Sequence, residues 1–62
     1  MTREEAVIMR TVGHIQLSIA RCNHNYRIML AWTAMTFFEL AGDEKEYRRS
    51  RAIWEALGGR LP

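Results

Sequence analysis

The sequence predicts an all-α protein: a long N-terminal helix with a short C-terminal helix folded back on it as a helical hairpin, dimerising into a four-helix assembly. Three observations predict this. An apolar ladder, Ile8, Val12, Ile15, Ile19, Cys22, Tyr26 and Met29, recurs alternately every four and three residues with no proline inside it. Such spacing is the seam of an amphipathic helix that lies against another helix. The first strong helix stop is Ala41-Gly42-Asp43, and Pro62 is the only proline. Thr2 with Glu5, and Asp43 with Glu46, have the form of capping boxes, which mark helix starts.

Taken in order, the Thr2 cap starts a helix over about residues 3–41, Gly42 and Asp43 form the turn, and a second helix covers about 44–57. Gly58-Gly59 stops it, and residues 58–62 are a loosely held tail. An unbroken first helix would be roughly 58 Å long and the second roughly 21 Å. The short helix therefore covers only the second half of the long one, over about Tyr26 to Leu40. Ile28, Met29, Leu30, Ala31, Trp32, Met35, Phe37, Phe38 and Leu40 make that half apolar nearly all round, as contact from two sides requires. The first half keeps a single stripe. Full burial of each such side chain is worth roughly 1.5–3 kcal/mol, which predicts a two-fold dimer through Ile8, Val12, Ile15, Ile19 and Cys22. The alternative breaks the chain at Asn23-His24-Asn25, three poor helix formers, with Asn25 as a cap. The result is a monomeric three-helix bundle over about 3–22, 26–41 and 44–57. The ladder keeps its phase through the tripeptide, which favours the unbroken helix.

Sixty-two residues make one domain with little margin over conformational entropy. The single cysteine excludes an intramolecular disulfide and fits a reducing, cytoplasmic setting. A net charge of +2 is too small to imply nucleic acid by itself. The N-terminus, Met1-Thr2-Arg3-Glu4-Glu5, does not read as a signal peptide. The longest uncharged stretch, Ile28 to Phe38, is eleven residues against the roughly 20 that span a bilayer, so membrane association is not expected. No His/Cys cluster suggests a metal, no motif suggests a cofactor, and no arrangement of nucleophile, base and acid suggests catalysis.

Three sets of residues carry the functional expectations. Tyr26, Arg27, Trp32, Tyr47, Arg48 and Trp54 are the candidate protein-binding contacts, because aromatic residues and arginine dominate interface energetics. The ladder residues Ile8 to Cys22 are the dimer interface, with Cys22 read as a packed thiol. Arg3, Arg10, His14, Arg21 and His24 fall on one side of the first helix at 100° per residue, without an acid among them, and could touch phosphates. The bases of the second helix, by contrast, pair with acids as Glu44–Arg48 and Arg51–Glu55 on its solvent side, opposite Tyr47, Ile53, Trp54 and Leu57. Gly13 inside a helix costs roughly 1 kcal/mol relative to Ala, which marks either close approach of a neighbour or simple tolerance. The resulting expectation is a homodimeric inhibitor or adaptor that binds another protein, economical enough for a phage or mobile element. The alternative is a nucleic-acid-binding regulator that uses the basic stripe.

Overall fold

The computed structural model describes residues 1–22 and 25–61, which form three helices and no strand: α1 (Arg3–Cys22), α2 (Arg27–Leu40) and α3 (Glu44–Ala56). The single helix expected over about 3–41 does not form. α1 ends at Cys22, Asn25 and Tyr26 form a bend, and α2 opens at Arg27; Asn23 and His24 lie outside the described residues. The cap of α2 is not the expected Asn25 but Tyr26, whose side chain makes no capping bond. α1 packs along α2, and α2 along α3. Burial explains why the ladder's continuity loses. Leu17, Ala34 and Phe38 close into one core cluster, whereas in a straight helix residues 17 and 38 would stand about 31 Å apart.

Local signals set the other boundaries. At the start of α1 the Glu5 N–H donates to Thr2 Oγ1 and the Thr2 N–H to Glu5 Oε1, each at 3.1 Å, so the capping box is complete. At the start of α3 only half of it forms: the Glu46 N–H donates to Asp43 Oδ1 at 3.1 Å. The Asp43 N–H is engaged elsewhere, donating to the Phe38 carbonyl, while the Gly42 N–H donates to that of Glu39. These two bonds close the end of α2 as a Schellman motif, with Gly42 at φ 72°. The same motif recurs at the end of α3, where the Gly58 N–H donates to Glu55 and the Gly59 N–H to Trp54, with Gly58 at φ 103°.

Two buried clusters form the core. One is Leu17, Ala34 and Phe38; the other is Ala31, Met35 and Trp54. Tyr47 and Ile53 of α3 pack against both. α2 is thus contacted from two sides, as its all-round apolar composition requires. The inward face of α1 is Gly13, Leu17 and Ala20. A Cβ built on Gly13 would stand 2.8 Å from the Phe38 ring, and Phe38 is fully buried. Gly13 is therefore a close-approach position, and His14 beside it meets the same ring edge-on at 5.0 Å.

Ile8, Ile15 and Ile19 are 57 %, 51 % and 42 % exposed and Val12 is half-buried, as the uncovered stripe of the first helix requires in a single chain. Cys22, expected as a packed thiol, is exposed in the single chain. Tyr26 and Met29, expected beneath the folded-back helix, are also exposed. α3 behaves as expected, with Trp54 buried, Tyr47, Ile53 and Leu57 against the core, and its ion pairs outside.

Candidate functional site

The first surface is the outer face of α1. Ile8, Val12, Ile15, Ile19 and Cys22 keep the row that the sequence assigns to them, a strip about 21 Å long. The row points away from α2, because the opposite side of the same helix holds Gly13, Leu17 and Ala20 against it. The predicted dimer residues are therefore together and accessible in the single chain.

The second surface is an open groove of about 790 Å³ where the start of α2 meets the end of α3, lined by Tyr26, Ile28, Met29, Trp32, Trp54 and Leu57 with Asn25, Arg27 and Arg60. Trp54 is buried and supports the groove from below, and its ring lies 5.1 Å from that of Trp32. Trp32 is 45 % exposed. The second Schellman motif turns the tail across Trp54: a side chain at Gly59 would overlap the indole, and Arg60 reaches the rim.

Of the six residues predicted to bind protein, this groove gathers Tyr26, Arg27, Trp32 and Trp54. Tyr47 and Arg48 lie apart from it. Tyr47 packs on the core clusters, and Arg48 is exposed and donates to Glu44 Oε1 at 2.6 Å. Sequence reasoning missed Ile28, Met29, Leu57 and Arg60 as groove residues. The first two read as covered helix and Arg60 as loose tail; the Gly58-Gly59 stop was the available clue that the tail turns back.

The third surface is the basic side of α1. Arg3, Arg10, His14 and Arg21 are exposed, and none of the three arginines has an ion pair among the described residues. His24 lies outside the described residues. The bases of α3 are mostly paired: Arg48 with Glu44, Arg49 with Glu46 at 3.8 Å, and Arg51 Nε with Glu55 at 2.9 Å. The bond to Glu55, with a smaller contribution from Tyr47, raises the Arg51 guanidinium above its usual value. In the capping box the Thr2 N–H, then its hydroxyl, holds the Glu5 carboxyl below its usual value.

Among the described residues no group of three or more His, Cys, Asp or Glu side chains could hold a metal ion. No helix there is long and apolar enough to cross a membrane. No protein-family model, curated protein or solved structure is significantly similar to the chain.

Proposed function

We propose that the protein is a small α-helical interaction module that pairs with a second copy through the outer face of α1 and binds another protein as an inhibitor or adaptor. The carrying observation is the exposure of Ile8, Ile15 and Ile19 in one row on a helix whose other side is already committed to the core. About half of the ~1.5–3 kcal/mol that burial of each isoleucine offers remains to be gained, in both copies. Two-fold pairing of α1 helices gains it with the alternating four-and-three spacing that helix pairs use. Light scattering at tens of micromolar is the test. The wild type should have twice the 7.3 kDa chain mass, and Ile15→Glu should return to the single-chain mass with unchanged helicity. A wild type that stays at the single-chain mass overturns the pairing.

A second reading is supported by Arg3, Arg10 and Arg21, exposed on one side of α1 and without an ion pair among the described residues: a regulator that binds nucleic acid through phosphates. Binding of labelled duplex or single strand should then fall steeply with salt and collapse in an Arg10→Glu, Arg21→Glu double variant. Absence of binding to both strands at low salt rejects this reading.

A further inference from the structure

We infer that a second copy of the chain covers α1 and α2 together: the side of their hairpin that faces away from α3 is one docking face, mated to the same side of the other copy, so that four helices form the shared core and both α3 helices lie outside it. The inference rests on the pairing reading above and widens its surface. Size is the first constraint. Ile8, Ile15 and Ile19 are about half exposed; with half-buried Val12 and exposed Cys22 they leave on the order of 400 Å² to bury on each copy, against the roughly 800 Å² per partner of a stable interface. Pairing through α1 alone has the size of an incidental contact.

α2 carries a second row with the same spacing. Met29, Thr33, Thr36 and Leu40 recur every four and three residues, and Met29 and Leu40 are more than half exposed. The Thr33 and Thr36 hydroxyls already donate to the Met29 and Trp32 carbonyls, at 2.8 and 3.2 Å, so burying them strands no donor. The two rows tilt to one side of the hairpin. Gly13 meets Phe38 near the end of α2, while Ala20 shares a hollow with Arg27 at its start, so the two helices run antiparallel. On α1 the row is centred about 150° round from the inward Gly13, Leu17 and Ala20, and on α2 about 150° round, in the same sense, from Ala34 and Phe38, which meet α1. Equal offsets on antiparallel neighbours point to the same side. α3 is reached in the opposite sense: Ala31 and Met35 turn that way to meet Trp54, and Arg21 turns that way to share a hollow with Ile53 and Leu57.

Half-buried Val12, Leu30 and Phe37 fall between the rows. Adding the α2 row about doubles the area and brings it to the scale of a stable interface. Charge says why the occupant is a second copy. From Ala6 to Cys22 and from Arg27 to Leu40 the Arg, Lys, Asp and Glu residues are Arg10, Arg21, Arg27 and Glu39, and at 100° per residue none of them falls on this face. A two-fold interface sets each surface against itself, and charges there would meet their like. This face opposes none.

The test is sedimentation equilibrium of the full-length chain, joined to isotope-filtered NMR of a mixture of labelled and unlabelled chains. The wild type should dimerise, with intermolecular nuclear Overhauser effects from Phe37 and Leu40 of α2 as well as from Ile15 and Ile19 of α1. Leu40→Arg should weaken the dimer at least tenfold with helicity unchanged, since a cation at the end of a helix suits the single chain. Ile28→Glu alters a similarly exposed apolar residue on the α3 side of α2 and should dimerise as the wild type does. A dimer whose intermolecular contacts come from α1 alone, or that keeps wild-type affinity in Leu40→Arg, overturns the inference and leaves the α1 pairing standing. Equal loss in Ile28→Glu and Leu40→Arg would move the interface to the groove and also overturns it. A wild type at the single-chain mass overturns both readings, and its binding to phosphatidylcholine vesicles would then give the face to a lipid surface.

Discussion

α3 and α1 are both amphipathic, yet they turn opposite kinds of side chain toward α2. In α3 the large residues face inward: Trp54 is buried, and Tyr47, Ile53 and Leu57 pack on the clusters, while Glu44–Arg48 and Arg51–Glu55 face out. In α1 the isoleucines face outward, and Gly13, Leu17 and Ala20 face inward. The difference lies in what α2 offers each of them. Opposite α3, α2 supplies the small Ala31 beside Met35, and the large side chains of α3 fill that space. Opposite α1 it supplies Phe38, whose ring sits where a Cβ of residue 13 would be. A side chain at residue 13 would overfill the interface there, so α1 approaches the ring through Gly13, with Leu17 and Ala20 completing its inward side. Fit to the neighbour chose the face, not the number of apolar atoms on it.

The largest effects should come from the rings that set this fit. Phe38→Ala and Trp54→Ala should each cost about 3–5 kcal/mol, measured by denaturant unfolding. Ile15→Ala, at an outward position, should change the unfolding of the monomer by less than about 0.5 kcal/mol. An Ile15→Ala loss as large as that of Phe38→Ala would mean that the ladder packs inside the chain. Next is Gly13→Ala, where the gain in helix propensity of about 1 kcal/mol opposes overpacking that costs about 1–3 kcal/mol. The ring it meets is fully buried and cannot swing into solvent, so net destabilisation is expected; a stabilised variant would show that α1 does not approach Phe38.

Ser50 tests the inward stripe of α3. It is fully buried, and its hydroxyl has no hydrogen-bond partner among the described residues. Ser50→Ala should leave stability unchanged or raise it by about 1 kcal/mol, and a loss above that would reveal a bond to the hydroxyl. The smallest effect belongs to the exposed Thr2–Glu5 cap. Glu5 has a depressed folded-state pKa, so its contribution is present above the unfolded value and disappears as pH falls through the folded one. Carboxyl NMR titration should show a Glu5 midpoint below the usual glutamate value, and Thr2→Ala, which removes the hydroxyl but keeps the backbone N–H, should return part of that shift.

Much of the helix punctuation was legible because it rests on local chemistry. Thr2, Glu5, Gly42 and Asp43 act where their residue types say they act, and the solvent side of α3 follows from its i,i+4 pairs. Two features were not legible. Periodicity shows that α1 has an apolar stripe left for a partner, but not that its other side packs on α2 through Gly13; that depends on Phe38, distant in sequence. The ladder's unbroken phase also favoured a continuous helix, whereas the closure of Leu17 onto Phe38 requires the chain to turn. The groove was half legible. Tyr26, Arg27, Trp32 and Trp54 stood out by residue type, but Ile28, Met29, Leu57 and Arg60 join them only through the meeting of α2 with the end of α3. Tyr47 packs on the core clusters apart from the groove, and residue type alone could not separate the two places, since an aromatic residue is equally fit for core and surface.

The orientation of α1 decides whether its isoleucines are core or docking face, and NMR reads it directly. Strong nuclear Overhauser effects should join the Gly13 α-protons to the Phe38 ring, with those protons shifted by the ring current. The methyls of Ile8, Ile15 and Ile19 should show no intramolecular contacts to Phe38 or Met35, and any contacts they make to a second copy should fade on dilution. Concentration-independent contacts from Ile15 and Ile19 to Phe38, with Gly13 unshifted, would contradict the account.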